Sequence, residues 1–214
     1  MKTTICTFIG LCMLMNYGKA QKSIFGITAG ATFASYKISA NSISITSKTK
    51  TGFTVGIMCS APMGKHISFE PALNFLQKGG TNKEEGGTDN LTLNYVELPL
   101  NFVYNTHSSK GNFFVGAGPS LSMGLSGKDK WDYGGESGTD DIEFGSGDED
   151  NLKAFEAGIN FLAGYRFKGG FLVAANYNAG LSNITNNMEG NNSEMHNRYF
   201  GVRLGYMIQG KSKK

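Results

Sequence analysis

His66, Ser68 and Glu70 place a histidine, a hydroxyl and a carboxylate at two-residue spacing, the closest approach in this chain to a hydrolytic set. A base, a nucleophile and an orienting acid carry out acyl transfer only when they touch in space, which local spacing does not secure. His66 and His107 fall in short turns between patterned segments and His196 in a longer connection, so no histidine stands beside a nucleophile on a strand. A catalytic set is therefore not expected. Residues 126–150 hold Asp129, Asp132, Glu136, Asp140, Asp141, Glu143, Asp148, Glu149 and Asp150 with two lysines. Divalent cations or repulsion of anionic partners is the chemistry such a run suggests. Its glycine-spaced order does not reproduce a calcium-loop pattern, and charge runs are commonly just solvated surface. Neither a metal set nor a cofactor is expected. Trp131 and Tyr133 in the same stretch are candidates for contact with a surface partner or for folding over the mouth of the molecule. Asn90, Asn183 and Asn191 begin glycan-type triplets, read here as turn chemistry.

The elements that position these residues alternate with a period of two. In 24–35, Phe25, Ile27, Ala29, Ala31 and Phe33 share one face, and Gly26, Thr28, Gly30 and Thr32 the other. Such contrast marks a strand with one apolar and one small or polar face. Seven further segments follow: 52–61, 68–75, 91–104, 113–124, 155–166, 171–180 and 200–208. In 91–104 the apolar phase flips between Tyr95 and Leu98, which predicts a β-bulge near Val96–Glu97. Connections alternate too. Long stretches at 37–50, 79–90, 126–150 and 183–197 are separated by short ones at 62–66, 106–111 and 168–170. This describes an up-and-down meander of eight strands with four long loops at one end.

Composition agrees. Among 214 residues there are 30 glycines and 17% charged residues, unlike a helical enzyme. Lys2, the apolar stretch Ile5–Met15 and the small residues Gly18 and Ala20 form a secretory leader, predicting cleavage near Ala20 and a mature start at Gln21. The expected divisions are a signal peptide at 1–20, a barrel domain at 21–208 and a short tail at 209–214. Removing Lys2 and Lys19 with the leader lowers the formal charge from +3 to +1, too little to suggest nucleic acid. Cys6 and Cys12 leave as well, so Cys59 has no disulfide partner within the mature chain.

An eight-stranded barrel can be soluble, with apolar residues inside, or span a membrane, with apolar residues outside. Aromatic placement favours the membrane. Phe25, Phe69, Tyr104, Phe113, Tyr165, Phe171 and Tyr206 fall near the short-turn end; Phe33, Phe53, Phe75, Tyr95, Phe155, Tyr177 and Phe200 fall near the long-loop end. Two aromatic girdles around an aliphatic belt are what two lipid–water interfaces select. From Phe25 to Phe33 the strand rises about 26 Å, or about 20 Å in height once tilted. The other face carries Glu70, Glu97, Glu156, Arg166 and Arg203, a poor lining for an apolar ligand. Charges in a narrow lumen should pair. The expected network centres on Arg203 with Glu70 and Glu97, with Arg166 low in the barrel and Glu156 high.

The runs FGITAGATFASY (25–36), ISFEPALNFLQKGG (67–80), LNYVELPLNFVY (93–104), NFFVGAGPSLS (112–122) and RYFGVRLGYMI (198–208) appear in this order. On these the chain resembles the outer-membrane β-barrel family of Gram-negative bacteria that includes the PorT-like proteins. The resemblance implies an all-β, eight-stranded antiparallel transmembrane barrel with no general enzymatic activity and no agreed ligand. Many such barrels end on an aromatic residue, whereas here 209–214 run past Tyr206 and Ile208. The expected function is a non-enzymatic outer-membrane protein displaying four long loops, its lumen plugged by charged side chains. The alternatives are an accessory component of a secretion apparatus, a small-solute channel and, last, a lipid-modifying enzyme. Expected partners are outer-membrane lipid and an unnamed extracellular or periplasmic protein, not nucleic acid.

Overall fold

The computed structural model describes residues 23–40, 43–84, 86–106, 108, 110–145, 147, 150–186 and 193–208. The leader at 1–20, the tail at 209–214, His107, Asp148, Glu149 and Asn191 lie outside them. Twelve strands follow in order: β1 (Ile24–Ala40), β2 (Ile43–Thr46), β3 (Lys50–Pro62), β4 (Ile67–Glu84), β5 (Gly87–Asn105), β6 (Gly111–Tyr133), β7 (Glu136–Ile142), β8 (Phe144–Gly145), β9 (Leu152–Lys153), β10 (Phe155–Phe167), β11 (Phe171–Gly180) and β12 (Glu194–Ile208). Eight of them form an all-β, antiparallel up-and-down barrel in the order β1-β3-β4-β5-β6-β10-β11-β12. It closes where β12 pairs with β1 through Phe33 and Phe200, and where β6 pairs with β10 through Ala117 and Phe161. Closure leaves no barrel edge unpaired, the requirement for strands that cross lipid.

The outward face is apolar because the alternate residues leave it no other choice. Phe25, Ile27, Phe53, Val55, Phe113, Val115, Phe171, Val173, Leu204 and Tyr206 all stand exposed. Neighbouring strands bring outward aromatics together: Phe33 with Phe200, Phe53 with Phe75, Phe113 with Tyr165 and Phe171 with Tyr206, with ring centroids 4.7–6.5 Å apart. Phe25, Phe69, Tyr104, Phe155 and Tyr177 also lie on the outer face, Phe155 at 73% exposure. Tyr95 does not. It is fully buried inside the barrel, so its place in the upper girdle is corrected.

The reason is that β5 contains no bulge at Val96–Glu97. Its inward phase runs unbroken through Leu91, Leu93, Tyr95, Glu97, Pro99, Asn101 and Val103. The irregularity lies opposite Asn94 and Tyr95, where register against β6 shifts and Leu125 is the extra residue. The sequence flips phase because the environment flips. Low in the barrel the interior is polar and the exterior apolar; near the long connections the interior becomes apolar.

Two expected loops are therefore largely strand. The 79–90 stretch is the end of a long β4–β5 hairpin, and 126–142 forms the β6–β7 hairpin. From Gly124 to Tyr133, β6 advances about 30 Å at the usual strand rise. Asn183 does act through turn chemistry: its Oδ1 accepts the backbone N–H groups of Thr185 and Met195, each at 2.9 Å.

Candidate functional site in the barrel lumen

The inward residues of the ring build three layers. At the short-turn end, Glu70 on β4 is buried and accepts four hydrogen bonds. Ser60 Oγ donates at 2.7 Å, Ser68 Oγ at 2.8 Å, and Arg166 Nη2 to both carboxylate oxygens at 3.1 Å. The Arg166 guanidinium lies 5.3 Å from the Phe114 ring centre, a cation–π contact that helps fix it. Asn105 extends the layer by donating to Ser68 at 2.9 Å.

Above it lies a belt of amides. Asn176 donates to Asn160 at 3.1 Å, and Asn160 to Asn101 at 3.0 Å, linking β11, β10 and β5. Beside them is a cavity of about 50 Å³, lined also by Thr28, Met58 and Arg203. It has room for a few waters at ~10–15 Å³ each. Of the residues lining it, Asn176 Oδ1 and Arg203 Nε are buried without a protein hydrogen bond among the described residues.

The third layer centres on Lys78, which is 1% exposed. Its Nζ lies 3.2 Å from Glu156 Oε2, 3.2 Å from Ser122 Oγ and 3.7 Å from Glu97 Oε2. The same ammonium stands 4.7 Å from the ring centre of Tyr95 and 5.7 Å from that of Tyr199. Tyr199 donates its hydroxyl to Glu97 at 2.6 Å, and Asn197 donates to Glu156 at 3.0 Å. Both carboxylates thus have a cation and further donors, the condition under which buried charge is tolerated.

This arrangement corrects the expected plug. Arg203 makes no ion pair within 4.0 Å among the described residues; its Nη2 donates to the Tyr199 hydroxyl at 3.3 Å and reaches Glu97 only through that ring. Lys78 holds the centre instead, and Arg166 rather than Arg203 holds Glu70. Extending the inward phase of β4 from Asn74 through Leu76 would have found Lys78. The Gly79-Gly80 pair invited an early end to the strand.

Over the third layer sits an apolar cork. Leu76, Leu91, Leu93, Tyr95, Tyr36, Leu152, Ile184, Met195 and Tyr199 pack together, joined by Phe144. Phe144 meets the Tyr95 ring edge-on at 5.4 Å. Gly124 admits it: a Cβ there would collide with the Phe144 ring.

Among the described residues, the hydrolytic candidates do not assemble into a catalytic set. His66 is exposed in its turn, stacked on Tyr104 at 5.5 Å with Nδ1 3.1 Å from the Asn105 carbonyl, while Ser68 is committed to Glu70 inside. His196 lies at the opposite end, 3.6 Å from Glu194. On the β6–β7 hairpin, Lys128 pairs with Asp141 at 3.1 Å, and Trp131 Nε1–H donates to Asp140 at 2.9 Å. Tyr133 reaches Asp89 with its hydroxyl. The aromatics thus lie along the hairpin rather than over the mouth. Burial and the nearby Asp89 raise the Asp129 carboxyl above its ordinary value, with Asp140 adding to the effect.

The profile of the family described as "Outer membrane protein beta-barrel domain" matches residues 19–186. Among solved structures, the attachment invasion locus protein Ail of Yersinia pestis is similar at 12% identity and TM-score 0.43, over 88% of this chain and 100% of that one. Neisserial surface protein A is similar at 13% identity and TM-score 0.47, over 88% and 100%. The outer membrane protein AlkL is similar at 8% identity and TM-score 0.45, over 93% and 96%. No curated protein matches the sequence.

Proposed function

The chain belongs to the family of outer membrane protein beta-barrel domains, and on that premise we propose that it is a non-enzymatic, sealed barrel that holds its long hairpins and loops outside the cell. One observation supports the reading above the others. The lumen is filled by the Lys78–Glu97–Glu156–Tyr199 layer and covered by the apolar cork, with a cavity of only about 50 Å³ below. Eight strands leave an interior that side chains can fill, and here both polar and apolar groups fill it. In this reading Glu70, Glu97, Glu156, Lys78, Arg166 and Arg203 stiffen the barrel rather than act on a substrate. The aromatic bands at its two ends anchor it at the lipid interfaces.

The family match supports an outer-membrane location, and the leader pattern of Lys2, Ile5–Met15, Gly18 and Ala20 supports, in this reading, removal of residues 1–20 and a mature start at Gln21. The ordered runs of 67–80 and 93–104 support placing it near the PorT-like members of the family. Partners at the displayed end would meet the β6–β7 hairpin and its Trp131 and Tyr133.

Liposome swelling tests the sealed lumen. Vesicles carrying the refolded protein should swell in small sugars no faster than empty vesicles. Swelling that grows with protein content would replace this reading with the small-solute channel.

A further inference from the structure

The carboxylates of this barrel are sorted by end. The short turns at 63–66, 106–110 and 168–170 contain no aspartate or glutamate. Each carries one lysine instead: Lys65, Lys110 and Lys168, all exposed. Among the described residues, the one carboxylate in this half of the barrel is Glu70, which points inward and is held by Arg166. The turns join β3 to β4, β5 to β6 and β10 to β11, so the lysines are spread round the ring rather than gathered on one sector.

Each lysine also stands next to the lower aromatic band. Lys65 precedes His66, whose ring stacks on Tyr104; Lys110 lies just before Phe113; Lys168 lies between Phe167 and Phe171. At a lipid interface, aromatics of this kind sit at headgroup depth, and long lysine stems carry their ammonium groups to the phosphate level.

We propose that this rim is a docking surface for anionic phospholipid headgroups, selecting them for the annulus around the short-turn end. Charge complementarity carries the assignment, and its distribution picks the occupant. An acidic protein would be met best by charge concentrated on one face, whereas lysines distributed round the circumference, beside the aromatic band, face a ring of lipids. The inference needs only the membrane-spanning barrel. A conducting lumen would overturn the sealed-barrel reading and leave this one standing.

Electron spin resonance with spin-labelled phosphatidylglycerol and phosphatidylcholine tests it in vesicles carrying the full mature chain. Attraction of ~1 kcal/mol per lysine corresponds to about a fivefold preference for the anionic lipid at each rim site at low salt. That preference should shrink as salt rises. The triple variant Lys65→Gln, Lys110→Gln, Lys168→Gln should lose most of it, and each single variant a part, which keeps the test valid if the triple variant folds poorly. The control Lys128→Gln, Lys130→Gln at the opposite end should keep it. Equal association of the two lipids with the wild type, or a preference untouched by the rim variants, would overturn the proposal. So would rim-dependent binding of soluble polyglutamate without lipid preference, which would point to an acidic protein.

Discussion

At the scale of single residues, the lumen separates two kinds of cation. Lys78 faces two carboxylates that have no other cation within 4.0 Å among the described residues, and all three groups are buried. Removing one member of such a set leaves charge stranded and costs about 3–5 kcal/mol. Lys78→Met should therefore lower stability by that amount, measured by urea unfolding in detergent micelles. Adding Glu97→Gln and Glu156→Gln should recover most of the loss. Arg166→Met should cost less, about 3 kcal/mol, because Glu70 keeps the hydroxyls of Ser60 and Ser68. Arg203→Met should cost only about 1 kcal/mol, one hydrogen bond to a tyrosine hydroxyl. A larger loss at Arg203 than at Lys78 would refute this ordering. The inward glutamates and arginines could be read from alternation alone. Their partners could not, because pairing across a barrel depends on stagger between strands, and that is set by turns and register rather than by local pattern.

At the scale of elements, the informative feature is the change of phase along β5. Alternation reports which face is apolar, not which face is inside. When a strand leaves the membrane and its interior turns apolar, the pattern inverts without any backbone irregularity. A bulge and a change of environment therefore look alike in sequence, and in 91–104 it is the environment that changes. The irregularity that does occur, at Leu125, lies one residue after Gly124, where the β6 backbone makes room for Phe144. Gly124→Ala should push that ring off Tyr95 and cost about 1–3 kcal/mol through overpacking. Hydrogen exchange should rise around Phe144 and Leu152, with the lower barrel unchanged. Phe144→Ala should be less harmful in the Gly124→Ala background than alone, and strict additivity of the two would contradict the contact. The two long hairpins are hidden for a related reason: their glycines and charges resemble loop composition, while backbone pairing of β4 with β5 and of β6 with β7 keeps them as strand.

At the scale of the whole molecule, closure was the legible property. Alternating segments with connections of alternating length admit few arrangements, and an antiparallel ring satisfies every backbone group in lipid. Such a ring resists opening, so an unheated sample in mild detergent should migrate differently from a boiled one. Identical migration would mean that the β1–β12 or β6–β10 seam does not hold. The cork has a further consequence, for how the sequence can drift. It stands between the hairpin tips and the charged lumen, and sites with no shared contacts change stability independently. In the proposed orientation the tips face the outside of the cell and are free to accumulate substitutions without retuning Lys78 or its carboxylates. Variation should concentrate above Phe144 and stop at it: the barrel insulates its own foundations from the history written on its surface.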